Sequence, residues 1–481
     1  MKHFTSYVGG AFVAPSGDGF EVLSPSDFGD VLGRWHAADT RLADLAVQAA
    51  ADAFPAWNGT SMVERGQTLY RAADLLAQET ERLAQVASRE MGKPIKEMRG
   101  EVQRGVALLR YYAGEGTRAI GEVLPSAVPD ALLFTMRQGV GPTLLITPWN
   151  FPVAIPIWKM APALIFGNPV VWKPAERAVA TAAMLVEILE RAGFPQGVVN
   201  LVLGRGSVVG RALTHHSLVR AVSFTGSREV GLDVGRSSLE VGARFQLEMG
   251  GKNPAIVLED ANIEVAADRI TSGGLRSAGQ KCTATSRVIV VEQAAAELRA
   301  ALRTKFAEVY QGPALDEQSY LGPVSSPEQR ASVLEKIRQG VAEGARVLAG
   351  PDPDLGLPPG AYVAPTLLEQ ASPSGVLHSD EIFGPVIALF TAKSAEQAIA
   401  YANAVPYGLS ASLFTRDLDR ALYYIRHMEA GLVRVNEESA GVEFQAPFGG
   451  VKESSYGPRE QGRAAIEFYT ESRTITVRPS R

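Results

Sequence analysis

Cysteine is almost missing from this chain: Cys282 is the one thiol in 481 residues. A disulfide within the chain is therefore excluded, and so is any metal site built on two cysteine ligands. A lone thiol fits a reducing, cytoplasmic setting. An excess of one charge is missing too. Forty-seven Lys and Arg against 52 Asp and Glu leave −5, which argues against a generic binder of nucleic-acid phosphates. No apolar h-region follows Met1-Lys2-His3-Phe4, so no signal peptide is expected. The most apolar stretch, Val153 to Trp172, holds Lys159, Asn168 and the prolines Pro156, Pro162 and Pro169. A membrane span rarely carries so many breaks and a central charge, so the stretch reads as buried interior. Internal repeats, low-complexity tracts and charge blocks are absent.

What is present is a typical globular composition, 46% hydrophobic and 21% charged. At roughly 100–200 residues per domain, two to four domains or two large ones are expected. Apolar residues at helical spacing predict a helix over 63–91, stopped by Gly92 and Pro94, and a second over 101–112. From residue 141 onward, short apolar runs alternate with helix-length segments. Strands are predicted at 141–147, 169–173, 198–203, 221–224, 254–258, 287–291, 343–348 and 385–390. Helices are expected at 181–192, 208–214 and 263–273. Continuous apolar strands separated by helices imply parallel sheets covered on both faces, in two α/β halves with a seam near Gly250-Gly251. A proline- and glycine-rich surface loop is expected at 351–360. Two segments, 121–137 and 474–478, fit neither half and read as β-ribbon.

Several residues are candidates for chemistry. Cys282 lies in Gly279-Gln-Lys-Cys-Thr283. Alone, a single Cys is either a small buried hydrophobe or a nucleophile. The polar neighbours make a poor core, and Lys281 beside it favours the thiolate. Glu248, flanked by Leu247, Met249 and two glycines, is either a partly desolvated base or a solvated carboxylate at a hinge. Asn150, in Thr147-Pro-Trp-Asn-Phe-Pro152, either donates to an oxyanion or caps a helix. Gly204-Arg-Gly-Ser-Val-Val-Gly210 is one residue longer than a dinucleotide fingerprint. Phe224-Thr-Gly-Ser227 is a strand-to-helix turn able to hold a phosphate. Lys173 and Glu176 end a strand, placed for ribose hydroxyls or ordinary at a surface. None of the six His lies in a hydrolase or metal motif, and no metal site is expected.

Together these motifs resemble the aldehyde dehydrogenase superfamily over nearly the whole chain. The matching runs come in family order: 148–152 (PWNFP), 172–176 (WKPAE), 224–227 (FTGS), 247–252 (LEMGGK), 279–282 (GQKC), 381–385 (EIFGP) and 447–450 (PFGG). The resemblance implies a Rossmann-type cofactor domain (1–118 and 140–250), an α/β catalytic domain (251–453) and a β-ribbon oligomerisation arm (119–139 and 467–481). It implies Cys282 as nucleophile, Asn150 and the Cys282 N–H as oxyanion donors, and Glu248 as activator of the deacylating water. Cofactor contacts would come from Thr147, Trp149, Lys173, Glu176, Gly206, Phe224, Gly226, Ser227, Glu381 and Phe383. Phe151, Ile155, Trp158 and Phe448 would wall the substrate tunnel.

Within the superfamily the chain is most similar to 2-oxoglutarate semialdehyde (2,5-dioxopentanoate) dehydrogenases, through 280–287, 431–436, 446–450 and 454–462. Succinate semialdehyde and broad aliphatic enzymes are the alternatives. Arg276, six residues before Cys282, is expected to grip a distal carboxylate; the other reading is an Arg that faces solvent. A carboxylate at Glu176 suits the two ribose hydroxyls of NAD and repels the 2′-phosphate of NADP, so NAD is expected to be preferred, with NADP usable. A small aldehyde and a second copy of the chain, as homodimer or homotetramer, are the expected partners, with neither nucleic acid nor membrane. A cysteine esterase without redox chemistry is the rival from another class.

Overall fold

The computed structural model describes residues 1–350, 356–370 and 373–480. Two large sheets dominate it. The first has eight strands, with five parallel ones at its centre: Arg244–Glu248, Ala221–Thr225, Thr143–Thr147, Val170–Pro174 and Val199–Leu201. Its order departs from chain order beside Thr143–Thr147. The chain moves outward through 170–174 and 199–201, then returns to the other side at 221–225. Such a switch point opens a crevice at the carboxyl ends of the strands, where ligands of open α/β sheets bind.

The second sheet has seven strands, in the order Arg346–Ala349, Thr366–Glu369, Val386–Ala392, Thr285–Val291, Asn253–Val257, Ser410–Phe414 and Leu432–Val435. All pairs but the first are parallel. Each large sheet has its own apolar core, one around Trp172 and Leu185 and the other around Ile289 and Phe390. The chain passes from Glu248, at the carboxyl end of a first-sheet strand, to Asn253, at the start of a second-sheet strand, in five residues. That crossing brings the outgoing end of one sheet against the incoming end of the other.

The expected strands are present with ends shifted by a few residues. The expected helix over 63–91 is two, Met62–Gln78 and Thr80–Met91. The break falls where the Thr80 hydroxyl donates to the carbonyls of Leu76 and Ala77, competing with the helical ladder. The second helix is longer than expected, Ile95–Glu115, because Pro94 starts it. The long glycine loop opens as a π-turn, Gly206–Gly210, before the short helix Arg211–Thr214. The apolar run is buried throughout, and its helix Ala154–Ile165 has no exposed residue. Among the described residues, no helix is long and apolar enough to cross a membrane. The two unplaced segments pair as one ribbon: Thr470–Val477 runs antiparallel to Leu132–Gly139, with Val123–Leu124 outside. Of the expected loop, 351–355 lie outside the described residues, and 356–360 form no regular element.

Candidate active site

Cys282 is delivered by a strained turn. After the helix Ile263–Leu275, Ser277, Ala278 and Gly279 all have positive φ, 57°, 53° and 67°. A left-handed residue other than glycine costs on the order of 1–3 kcal/mol, so the surroundings must hold it. Glu97 does so by accepting from the Ser277 N–H at 2.9 Å and its hydroxyl at 2.7 Å. Only glycine fits at 279, since a Cβ there would lie 2.1 Å from the Gly384 carbonyl oxygen. Beyond the turn, Asn253 Nδ2 donates to the carbonyls of Cys282 and Ala284 at 2.8 and 2.9 Å. The half-buried thiol is thereby fixed from both sides.

Asn150 closes on the same point from the first sheet. Its Nδ2 donates to the Gln280 carbonyl at 2.8 Å, two residues from the thiol. Its own carbonyl accepts from Lys93 Nζ at 2.8 Å. Lys93 also sits 3.8 Å above the Phe151 ring and pairs with Glu101 at 2.5 Å. The other Glu101 oxygen accepts from the N–H groups of Val153 and Ala154, capping the helix Ala154–Ile165.

Glu381 reaches the seam from the loop before Val386–Ala392, where Oε1 accepts from the Gly251 N–H at 2.9 Å. A Cβ at Gly250 would stand 2.3 Å from Glu381 Oε2, so the carboxylate as placed reaches the seam over a glycine. Phe383 meets Trp149 edge to face at 5.6 Å. Trp149, Asn150, Ser227, Cys282, Glu381 and Phe383 share a cavity of about 250 Å³. A wider cleft of about 710 Å³ lies at the crevice of the first sheet, lined by Lys173, Gly206, Ser207 and Arg211 among others.

Burial sets the electrostatics, and neighbouring carboxylates add to it. Burial pushes the Cys282 thiol up to about 12, and the charges of Glu381, Glu248 and Glu460 add to it. The expectation that Lys281 would favour the thiolate is therefore overturned. Burial lowers the Lys281 ammonium itself, and the acids facing it are Glu97 and Glu438. Glu248 is held well above the usual carboxylate range, first by burial and then by Glu460; the Ser455 hydroxyl, donating to it at 2.5 Å, opposes this. Burial raises Glu381 to about 7. Behind Glu248 lies a second buried pair, Lys159–Glu460, with Ser223 Oγ and Trp158 Nε1 also donating to Glu460.

The sequence matches the model of the aldehyde dehydrogenase family over residues 12–475. The chain belongs to the aldehyde dehydrogenase family. It is 47% identical over 479 residues to an alpha-ketoglutaric semialdehyde dehydrogenase of Bacillus subtilis, covering 99% of this chain and 98% of that one. It is 39% identical to an alpha-ketoglutarate semialdehyde dehydrogenase of Haloferax volcanii, covering 98% of each chain. The crystal structure of an NAD-dependent aldehyde dehydrogenase from Sinorhizobium meliloti superposes with a TM-score of 0.96 at 35% identity, covering 100% of this chain and 96% of that one.

As an aldehyde dehydrogenase, the chain groups its sequence candidates unevenly. Trp149, Asn150, Ile155, Gly226, Ser227, Cys282, Glu381 and Phe383 line the smaller cavity, and Lys173 and Gly206 the wider cleft. Thr147 and Phe224 stand behind these walls: Thr147 Oγ1 accepts from Trp172, and Phe224 fills the space a Cβ at Gly226 would take. Glu176 accepts from the Gly206 N–H at 3.2 Å. Glu248 lies against Gly449, beside Phe448. Phe448 packs with Cys282 in one apolar cluster and meets the Trp158 ring at a tilt, with centres 5.5 Å apart. Arg276 is exposed, 5.8 Å from the centre of the Tyr320 ring, and lines neither space. Sequence reasoning missed Lys93, Glu101, Ser455 and Glu460. Lys159 carried a signal, since a charge inside a buried apolar run must find a partner.

Proposed function

We propose that this aldehyde dehydrogenase oxidises 2-oxoglutarate semialdehyde to 2-oxoglutarate, with NAD preferred over NADP. One observation carries the chemistry: Cys282, the Asn150 amide and the buried Glu248 carboxylate converge where the two sheets meet. The substrate follows the relatives, which are named for that semialdehyde.

Cys282 Sγ attacks the aldehyde carbon, and the oxyanion is held by the Asn150 Nδ2 and the Cys282 N–H. A dinucleotide held by Lys173, Ser227, Glu381 and Phe383 would supply the hydride acceptor that oxidation to the thioester level requires. Glu248 then takes a proton from the water that releases the acid. Lys173 suits the dinucleotide: it is buried and desolvated, it lines the wide cleft, and its ammonium has no hydrogen bond or ion pair among the described residues. Glu176 beside it favours NAD by repelling a 2′-phosphate, whereas Lys173 leaves NADP usable. Residues 1–118 and 140–250 hold the dinucleotide, and 251–453 supply the thiol. The ribbon of 119–139 and 467–481 joins copies into a dimer or tetramer, as the exposed Leu132, Met136 and Val477 support. The lone thiol suits the cytoplasm.

The test is reduction of NAD and NADP with 2-oxoglutarate, succinate and glutarate semialdehydes, propanal and benzaldehyde. Highest kcat/KM with 2-oxoglutarate semialdehyde and NAD, lost in Cys282→Ala, is expected. Equal turnover of neutral aldehydes would make the chain a generalist. Ester hydrolysis without any nucleotide reduction would replace the reading with a hydrolase, against which stands the absence of His from both cavity linings.

A further inference from the structure

Buried arginines in this chain are normally saturated. Arg65 donates to the carbonyls of Ile165, Trp57 and Asn58, and Arg287 to those of Lys252, Tyr401 and Ala402. Arg104 and Arg434 are different. Arg104 lies in the helix Ile95–Glu115, and its Nε is buried without a partner. Its one hydrogen bond is a long one, 3.3 Å to Gln461 Oε1. The side chain of Arg434, on the edge strand Leu432–Val435, has no hydrogen bond or ion pair among the described residues. Burial lowers the pKa of both, and the charge of Arg434 bears on Arg104.

Gln461 adds a third unused donor. It is 0% exposed, and its Nε2 has no partner. The nearby acids do not answer these groups. Glu101 is spent on Lys93, Val153 and Ala154, Glu437 pairs with Arg269, Glu438 bonds Ser272, and Glu443 is exposed. Donors gathered without an acceptor are costly, about 1–3 kcal/mol for each buried unsatisfied group. An acceptor-only ligand would satisfy them.

The position fits the substrate. The Arg104 guanidinium lies 6.0 Å from the Trp158 ring, Trp158 meets Phe448, and Phe448 packs with Cys282. Through these two rings Arg104 is linked to the apolar cluster that holds the thiol. We propose that Arg104, Gln461 and Arg434 receive the 2-oxo carboxylate end of the substrate while its aldehyde carbon meets Cys282. That end presents three acceptor oxygens and no donor, complementing a guanidinium and an amide N–H. The inference rests on the acidic-semialdehyde reading above.

The test compares kcat/KM for 2-oxoglutarate semialdehyde and pentanal in the wild type, Arg104→Leu, Arg434→Leu, Gln461→Met and Arg276→Ala. Binding of 2-oxoglutarate is measured by calorimetry on the same proteins. Expected are an acid-to-pentanal ratio that falls by about 10–100-fold in the Arg104 and Arg434 variants, the range of a charged hydrogen bond, a smaller fall in Gln461→Met, and weaker 2-oxoglutarate binding in all three. Pentanal turnover in each variant reports folding, and Arg104→Lys is the fallback, keeping the charge but losing the planar fork. A wild type without acid preference overturns both this inference and the substrate reading. A wild-type preference kept by the Arg104 and Arg434 variants, or lost only in Arg276→Ala, overturns the inference alone.

Discussion

Lys93–Glu101 and Lys159–Glu460 are the same ionic unit, each with side chains no more than 2% exposed, and both touch the helix Ala154–Ile165. The first pair meets its N-terminus. Its hydrogen bonds and ring contact hold neighbouring groups in place: a carbonyl of Asn150, the ring of Phe151, two helix N–H groups. The second pair starts from inside the helix and ends beside the carboxylate and the thiol. There the charge of Glu460 raises both Glu248 and Cys282, and Lys159 opposes it at Glu248. One pair sets geometry and the other sets proton affinity. A buried ion pair is weak evidence of stability, because desolvation offsets its attraction. What each contributes here is read from its other contacts.

The comparison breaks most visibly in stability. Glu101→Gln leaves Lys93 charged and unpaired, at about 3–5 kcal/mol, measured by urea denaturation. Lys93→Met with Glu101→Gln, which keeps an acceptor for the Val153 and Ala154 N–H groups, should recover part of that loss without recovering the rate. A double variant no more stable than the single one would show that geometry is not what the pair supplies. Next in size is catalysis. Asn150→Ala is expected to slow thioester formation by about 100–1,000-fold. Lys93→Met, which lets the same amide drift, should cost up to about 100-fold. Single-turnover kinetics separate the two.

The second pair should answer through pH. Glu460→Gln removes a negative charge that raises Glu248, so the limb on which deacylation rises with pH moves to lower pH. Ser455→Ala removes the hydrogen bond that lowers Glu248, so the limb moves to higher pH. Shifts of the same sign would sink the assignment of Glu248 as the base. The smallest effect is on the thiol. With its pKa near 12 in the free protein, alkylation of Cys282 should rise about tenfold per pH unit through neutrality, without a plateau by pH 9. Glu460→Gln should speed it modestly, and Glu101→Gln should leave it alone.

Much of this was legible in the chain. The parallel strands announced themselves as continuous apolar runs, because strands covered on both faces need no polar side. The ribbon segments stood out by fitting neither half, and they pair with each other. The catalytic candidates carried local marks: Gly250 and Gly279 mark the close approaches beside Glu381 and Cys282. The break at Glu79 was hidden, since Thr80 is acceptable to a helix until its hydroxyl takes the carbonyls behind it. Arg104 looks like any helix-surface arginine, and Arg276 like a tunnel residue. Only the fold exposes the second and desolvates the first.

The sequence by itself determined the alternation of strands and helices, the buried character of 153–172 and the order of motifs that marks an aldehyde dehydrogenase. These follow from patterns within reach of a few residues. The tertiary structure alone decided the proton affinity of Cys282, the partners of Lys93 and Lys159 and the isolation of Arg104, Arg434 and Gln461. Each depends on how much water is removed and which distant charge replaces it. Lys281 is next to Cys282 in the chain, yet burial, with three carboxylates up to 178 positions away adding to it, sets the thiol's proton affinity, and there the neighbouring residue pointed the wrong way.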